Sequence, residues 1–307
     1  MVTDPGTPTL DQLRVFLTIA ELGSFVAAAR KLGRATSVIS YAIANLEAQL
    51  GVELFDRQSA RKPQLTEAGR AVLAEARGIA TSIDSLRAKV KGLQQGLEAE
   101  IHVVADVLLP AARIADALKA FQKEFPTVAL TLHMEALGAV SQLVLDRVAT
   151  IGISGPLAGE TGMPGIERVW VGSVMLIPVA APGHPLARSA KLKPGDARHH
   201  TQLVLTDRSP LTRGQDFGVI SPKTWRLADL GAKHILLKEG IGWGNMPAPM
   251  VEEDILAGRL VRLALPDMTG GAYRFVAIYR TDSPPGPAGS WLIERFRKQA
   301  EAAAASQ

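Results

Sequence analysis

The chain has 307 residues, a length that suggests two domains, and its composition of 47% hydrophobic and 21% charged residues is ordinary for a globular protein. It contains no cysteine, which excludes disulfides, thiolate metal sites and cysteine nucleophiles. The net charge of +4 is too small by itself to indicate a nucleic-acid partner, so the location of the charges must decide.

Targeting and membrane signals are weak throughout the sequence. The first residues show no basic segment followed by an apolar one, and charged residues interrupt every long apolar stretch. A membrane-spanning helix needs roughly 18 consecutive apolar residues. We therefore expect no membrane partner and a cytoplasmic location.

The first 50 residues predict three short helices. The first begins at a capping box of Thr9 and Gln12, and the second begins at an N-cap Ser24. We expect Thr36 or Ser37 to cap the third. Each helix ends at a glycine: Gly23, Gly33 and Gly51. Tight turns between short helices are typical of a helix-turn-helix, although the spacing alone is equally typical of any small helical bundle.

The third helix has two different faces. Its apolar positions predict one buried stripe, formed by Ile39, Ile43, Leu46 and Leu50. The opposite face is small and polar, and Glu47 is expected to lie off to its side. Such a face favours contact with a DNA groove over simple solvation, since it can form hydrogen bonds and carries no acid. The predicted DNA-contacting residues on it are Thr36, Ser37, Ser40, Tyr41 and Asn45.

A basic turn between two short strands follows this helix and predicts a β-wing. Its basic residues Arg57, Arg61 and Lys62 are expected to reach phosphates or a minor groove. Residues 28–63 contain six basic and three acidic side chains, so this segment supplies much of the net charge of the chain.

A long helix is predicted from Thr66 to about Gln95. Its apolar residues step alternately by four and three positions, from Val72 and Ala76 to Leu97, which is the period of a coiled-coil seam. The alternative is a helix that lies on the surface of its own domain. We expect the seam to pair two copies of the chain through Val72, Ile79, Ile83, Leu86, Val90 and Leu93.

The remaining two thirds alternate between predicted strands and helices, which indicates α/β units with largely parallel sheets. Predicted strands cover residues 101–105, 128–133, 151–154, 174–180, 203–205, 235–237 and 275–279, and predicted helices cover 110–121, 139–147, 249–257 and 291–298. Trp243 and Asn245 are placed in a glycine-rich loop that opens a helix. Such a loop can hold an anionic group or can be a tight turn only.

The ordered motifs of the first 70 residues resemble those of the LysR-type transcriptional regulators. They are Leu10-Asp11-Gln12-Leu13, Gly23-Ser24-Phe25, Ser37-Val38-Ile39-Ser40, Leu54-Phe55-Asp56-Arg57 and Leu65-Thr66-Glu67-Ala68-Gly69. Gly183-His184-Pro185-Leu186 and Gly258-Arg259-Leu260 extend the resemblance more loosely. Thr36 and Tyr41 depart from the residues usual in the family at positions that face bases, which leaves the preferred DNA sequence open.

The resemblance implies a winged helix-turn-helix over residues 1–65 and a linker and dimerisation helix over 66–97. Residues 98–307 would form an α/β effector-binding domain similar to periplasmic binding proteins, with one subdomain over 98–170 and 265–300 and another over 171–264. Implied partners are a double-stranded DNA operator, a small-molecule effector and a second copy of the chain in a dimer or tetramer. RNA polymerase is a further candidate partner.

The effector is expected in the cleft between the two subdomains. The candidate residues are Asp106, Val107, Leu108, Thr206, Trp243 and Asn245. Many members of the family carry Ser or Thr where Asp106 to Leu108 stand. Because Asp106 would repel a carboxylate there, we expect a neutral, hydroxylated or aromatic ligand.

Enzymatic alternatives find little support in the sequence. It has no G-x-S-x-G motif, P-loop or dinucleotide fingerprint, and no pair of its six histidines has the spacing of a helix-borne metal site. We therefore expect no catalysis, no metal and no cofactor. Two functions remain: a ligand-responsive, sequence-specific DNA-binding regulator, and a cytoplasmic small-molecule binding protein or enzyme with a helical interaction head.

Overall fold

The computed structural model describes residues 7–56, 63–156 and 163–305. The chain divides into two compact units, one that ends at Lys91 and one that begins at Gly92.

The first unit contains the three predicted helices, a pair of short strands and a long helix. They are α1 (Leu10–Leu22), α2 (Phe25–Leu32), α3 (Thr36–Leu50), β1 (Phe55–Asp56), β2 (Gln64–Leu65) and α4 (Glu67–Gln94). The capping box of Thr9 and Gln12 is present at α1, and the Ser24 hydroxyl accepts the Ala27 N–H at α2. Gly23, Gly33 and Gly51 each have the positive φ that ends a helix. The sequence prediction of three helices is therefore confirmed.

Two details of α3 differ from the prediction. Its N-cap is Ala35, with no side-chain hydrogen bond, so neither Thr36 nor Ser37 caps the helix. Both hydroxyls lie in the first turn instead. Ile39, Ile43 and Leu46 are buried as predicted, but Leu50 is 37% exposed because the helix ends there, at the edge of the core.

Apolar residues of α1, α2 and α3 form the core of the first unit together with the segment around β1. Phe16 and Phe25 each contact Phe55 edge to face, with ring centroids 5.5 Å apart. β1 and β2 pair antiparallel, with Phe55 opposite Leu65. This pairing confirms the two strands that flank the predicted wing.

The second unit contains six α-helices, two short 3-10 helices (Asp196–His199 and Pro210–Thr212) and nine strands among its described residues. The helices are α5 (Ala111–Glu124), α6 (Gly138–Leu145), α7 (Pro185–Arg188), α8 (Leu230–Lys238), α9 (Ala248–Leu256) and α10 (Pro287–Ala305). The strands are β3 (Glu100–Asp106), β4 (Ala129–Glu135), β5 (Ile151–Ser154), β6 (Ile166–Ala180), β7 (Gln202–Leu205), β8 (Thr224–Leu227), β9 (Trp243–Pro247), β10 (Val261–Arg262) and β11 (Gly271–Arg280).

The sheet of the second unit has the strand order β4-β3-β5-β11-β6-β9-β7-β8, and β10 pairs with β6. Pairs within β4-β3-β5 and β9-β7-β8 are parallel, whereas β11 and β6 form antiparallel pairs. The expectation of largely parallel sheets is therefore only partly correct. β6 and β11 are longer than predicted and run side by side along ten registered pairs, so they join the two parallel groups.

Three local predictions in the second unit are wrong or incomplete. Residues 235–237 form part of helix α8, because Asp229 caps a helix that begins five residues earlier. Trp243 and Asn245 lie in strand β9, not in a loop, since the segment pairs antiparallel with β6. Strand β8 was not predicted, because its side chains are exposed or half-buried and show no buried alternation.

No helix within the described residues combines the length and the apolar character needed to cross a membrane.

Candidate DNA-binding surface and ligand cavity

The outer face of α3 is the exposed surface of the helix-turn-helix. Thr36, Ser37 and Ser40 are exposed, Asn45 is half-buried, and Tyr41 is 69% exposed. These five side chains therefore share the face that the sequence assigned to them. Hydroxyl, phenol and amide groups can each donate and accept hydrogen bonds, as base edges in a major groove require.

Val38 is an exposed apolar residue on the same face, one helical turn before Tyr41. An apolar side chain at such a position can contact a thymine methyl group. Val38 was not predicted from the sequence, because a face that reads bases is expected to be polar. Its position three residues before Tyr41 does indicate that the two side chains lie on the same face of the helix.

Glu47 lies on the buried side of α3. The sequence prediction, which placed it off to the side of the polar face, is therefore wrong. Its Oε1 accepts the backbone N–H of Leu54 at 2.7 Å and that of Phe55 at 3.3 Å. The carboxylate thus holds the chain that leads into β1. It also leaves the outer face of α3 free of acidic side chains, because Glu47 is the one acid in that helix.

Ion pairs engage two of the basic residues counted around this surface. Arg34 donates two hydrogen bonds to the Asp11 carboxylate, at 2.6 and 2.8 Å, and Lys31 donates to Glu21 at 2.8 Å. The hydrogen bond from Arg34 holds the pKa of Asp11 below its usual value. Arg30 is exposed. Arg57, Arg61 and Lys62, which the sequence assigned to the wing, lie outside the described residues.

The predicted seam divides into two parts along α4. Ala76 is buried and Val72 is half-buried in the core of the first unit, so these first two members already pack within one chain. Ile83 is half-buried. Leu97 lies beyond the end of α4 and packs against the core of the second unit. The remaining members are 42 to 61% exposed: Ile79, Leu86, Val90 and Leu93.

A groove between α1 and α4 borders this exposed part of the seam. Its volume is about 420 Å³, and Leu10, Leu13 and Leu17 of α1 line it opposite Ile79 and Ile83. Leu10 is itself largely exposed. The exposed apolar surface of α4 therefore continues onto α1, which makes it wider than a single helical stripe.

The second unit contains a cavity of about 340 Å³ that lies beyond the carboxyl end of β3, at Leu108, and along β7 from Gln202 to Leu205. Its apolar walls are Leu108, Leu137, Leu176, Leu203, Leu205 and Phe217. Its polar side chains are Gln202, Asp216, Lys233, Asn245 and Tyr273. The ends of parallel strands are a common place for ligand binding in α/β folds.

Only two of the predicted effector residues line this cavity, Leu108 and Asn245. Thr206 lines two neighbouring hollows, of about 400 Å³ each, together with Asp207 and Arg208. Val107 is half-buried and packs in the small cluster that includes Leu137 and Phe217.

Asp106 and Trp243 lie in the interior. The Asp106 carboxylate accepts the Leu108 N–H at 2.9 Å and the Tyr273 hydroxyl at 2.7 Å, and burial raises the pKa of Asp106 to about 6. Tyr273 lines the cavity, whereas Asp106 does not. Trp243 is fully buried, and its indole N–H donates to the Ala197 carbonyl. The prediction of a neutral ligand assumed that the Asp106 carboxylate is exposed in the cleft. Because Asp106 is buried and hydrogen-bonded, this reason for a neutral ligand does not apply.

Gln202 and Lys233 are cavity residues that the sequence analysis missed. The Gln202 amide donates to the Gly218 carbonyl at 2.7 Å and accepts from Ile220 and Ser221, so it fixes the loop that carries Phe217. The sequence does not point to Lys233, because the adjacent residues 235–237 predict a strand. As a helix, Leu230, Lys233 and Leu237 form one buried stripe with a lysine in its middle, which was the available signal.

Two family models match the chain. Residues 10–70 match the model described as a bacterial regulatory helix-turn-helix protein of the lysR family, and residues 94–301 match the LysR substrate binding domain. The second match alone covers more than half of the chain.

The curated relatives include proteins of the same organisation. The probable HTH-type transcriptional regulator YhaJ of Escherichia coli (strain K12) is 30% identical over 296 residues, covering 94% of this chain and 96% of that protein. The HTH-type transcriptional activator AllS of Klebsiella pneumoniae is 30% identical and covers 84% and 94%, respectively. Both are named as regulators of transcription and not as enzymes.

The solved structures include full-length chains with the same fold. A Corynebacterium glutamicum OxyR C206 mutant aligns with a TM-score of 0.52 at 24% identity, over 98% of this chain and 95% of that one.

Proposed function

The chain belongs to the LysR family of transcriptional regulators, and we propose that it reads its operator through the outer face of α3 as a dimer paired along α4. Its helix-turn-helix head binds DNA, and its α/β domain binds an effector. The proposed partners are an operator with two half-sites, a second copy of the chain, a small-molecule effector and RNA polymerase.

The chemistry of α3 carries the proposal for base recognition. Thr36, Ser37, Ser40 and Tyr41 lie on one exposed face that carries no acid, and Ile39, Ile43 and Leu46 anchor the opposite face in the core. A helix held rigidly in this way can enter a major groove without repelling phosphates. We assign base contacts to Tyr41 and Ser40, with Thr36, Ser37 and Asn45 beside them.

The wing supplies the second set of proposed DNA contacts. The strands β1 and β2 hold the ends of the basic turn together, and Glu47 fixes the chain that enters it. We assign phosphate or minor-groove contacts to Arg57, Arg61 and Lys62, which add affinity without much base selection.

The exposed residues of α4 support pairing of two chains. Ile79, Leu86, Val90 and Leu93 lie along one stripe that continues through the half-buried Ile83 to the α1 groove. Left exposed, this stripe would be a large apolar surface. We propose that a second α4 covers it, so that two heads face a two-fold symmetric operator.

The experiment that tests this function is selection of binding sites from random DNA by the full-length protein. We expect an inverted repeat to be enriched. Tyr41→Ala should then weaken binding to the selected site by about 1–3 kcal/mol and weaken binding to random DNA less. Since Tyr41 is exposed, its removal should cost little stability.

Trp225→Ala is the matched control, because Trp225 is an exposed aromatic side chain in the second unit. It should leave the affinity for DNA unchanged. Recovery of no enriched sequence, or an equal loss on selected and random DNA in Tyr41→Ala, would remove the α3 face from base recognition.

A further inference from the structure

The cavity that lies beyond the end of β3 and along β7 is lined by one lysine that is almost completely buried. Lys233 is 4% exposed, and its ammonium group donates to the Asn245 backbone carbonyl at 2.7 Å. Its Cε passes over Gly244, where an added Cβ would lie only 3.1 Å away. The absence of a side chain at Gly244 therefore makes room for the lysine.

The charge of Lys233 has no acidic partner within salt-bridge distance in residues 7–56, 63–156 and 163–305. Asp216, which also lines the cavity, pairs with Arg226 at 2.7 Å. Asp106, which is fully buried, uses its oxygens on Leu108 and Tyr273. Within the described residues, this ammonium group donates a hydrogen bond to the Asn245 carbonyl oxygen and has no carboxylate beside it.

A buried cation without a counter-ion is costly, because it loses hydration and gains little in return. Burial lowers the pKa of Lys233 to about 8, which still leaves the amine mostly protonated at neutral pH. An anion that enters the cavity would offset this cost. The apolar walls, among them Leu137, Leu176 and Phe217, suit an apolar body attached to that anion.

We infer that the cavity binds a small organic monocarboxylate with an apolar or aromatic body, and that Lys233 selects its acid group. This inference rests on the proposed function, in which the α/β domain binds a small-molecule effector, and it assigns that effector to this cavity. A single cation fits one acid group, and Asp216 disfavours a second one nearby. The cavity volume of about 340 Å³ accommodates a molecule of the size of benzoate or phenylacetate.

The test is calorimetric titration of the full-length protein with matched pairs of probes. The acids are benzoate, phenylacetate and 3-phenylpropionate, and each is compared with its neutral primary amide. We expect at least one acid to bind, and its amide to bind at least about tenfold more weakly, because a charge-assisted hydrogen bond is lost. Equal binding of acid and amide, binding of amides only, or no binding by any of the three acids would overturn the inference.

The variant Lys233→Met keeps the length of the side chain and removes its charge. It should reduce the affinity for the acid at least about tenfold and abolish the preference for acid over amide. Its melting temperature should equal or exceed that of the parent chain, since an unpaired buried charge is removed. Undiminished acid affinity in this variant would exclude Lys233 from recognition. If the variant does not fold, the comparison of acid and amide in the parent chain decides.

Lys238→Met is the matched control, because it removes the same charge from a more exposed position of the same helix. It should leave acid binding unchanged. The proposals for the DNA-binding face and for the cavity can fail independently. Equal binding of acid and amide would overturn the acid site alone, and failure to enrich a DNA sequence would overturn the DNA-binding face alone.

Discussion

Replacement of Glu47 by alanine should destabilise the DNA-binding head without changing any side chain of its outer face. Glu47 is buried and accepts the N–H groups of Leu54 and Phe55. Each donor left without a partner costs about 1–3 kcal/mol. The bond at 3.3 Å is the weaker, so we expect a loss of about 2–4 kcal/mol in the free energy of unfolding of the first unit.

The effect should extend to the start of α4. The Leu54 carbonyl accepts the Thr66 N–H at 3.1 Å, and a Cβ at Gly69 would lie 2.1 Å from the same oxygen, so the first turn of α4 packs directly on this segment. Loosening of Leu54 therefore also loosens the wing strands. We expect weaker binding to all DNA sequences together with the loss of stability.

The distribution of tryptophan gives a separate measurement for each unit. All four tryptophans, Trp170, Trp225, Trp243 and Trp291, lie in the second unit. Urea unfolding followed by far-ultraviolet circular dichroism reports both units, whereas tryptophan fluorescence reports the second. Glu47→Ala should shift the part of the dichroism transition that belongs to the helical head and leave the fluorescence transition in place.

Glu47→Gln is the matched control, since it keeps the size of the side chain and one acceptor oxygen. It should cost about 1 kcal/mol, at most half of the alanine effect. An alanine variant as stable as the parent chain, or equal losses of stability in the glutamine and alanine variants, would show that the Glu47 carboxylate does not hold this segment.

Three further predictions test the wing, the seam and the buried acid. Replacing Arg61 and Lys62 together by alanine should weaken binding to all DNA and reduce the slope of log affinity against log salt by about two, measured by gel retardation at several salt concentrations; an unchanged slope would take both residues out of the interface. Ile83→Glu should give monomers in sedimentation and reduce operator affinity by several orders of magnitude, whereas the off-seam Ser85→Glu should do neither; an unchanged oligomer would place dimerisation elsewhere. Burial raises the pKa of Asp106 to about 6, so its contribution to stability is present at acid pH and is lost as the pH rises through 6. Between pH 7 and pH 5 the parent chain should therefore gain about 1 kcal/mol that Asp106→Asn does not gain, and equal gains in thermal denaturation would contradict this assignment.

Local signals in the sequence determined where the three helices of the DNA-binding head begin and end. The capping box at Thr9, the N-cap at Ser24 and the three terminal glycines act within one or two turns of chain, so they define the helices without any distant contact. The spacing of apolar residues by three and four positions in α3 likewise indicated which face is exposed. The family could be recognised for the same reason, because its motifs lie within these short helices.

Which residues line the cavity depends on contacts between residues that are far apart in the chain. Asp106 is a plausible ligand group by its position at a strand end, but Tyr273, 167 residues later, covers it. Trp243 reads as part of a glycine-rich loop until its pairing with β6 makes it a strand whose indole is buried beside Ala197. No local pattern reports such pairings, since strand pairing depends on which segments the sheet brings together.

Glu47 and Lys233 show the same limit for charged residues. Each lies in a helix where the sequence alone favours solvent exposure, because an isolated charge is rarely buried. Tertiary structure decides otherwise when it supplies hydrogen-bond partners, the Leu54 and Phe55 N–H groups for the acid and the Asn245 carbonyl for the lysine. Burial of a charge is a balance between lost hydration and the partners found, and those partners exist only once the chain has folded.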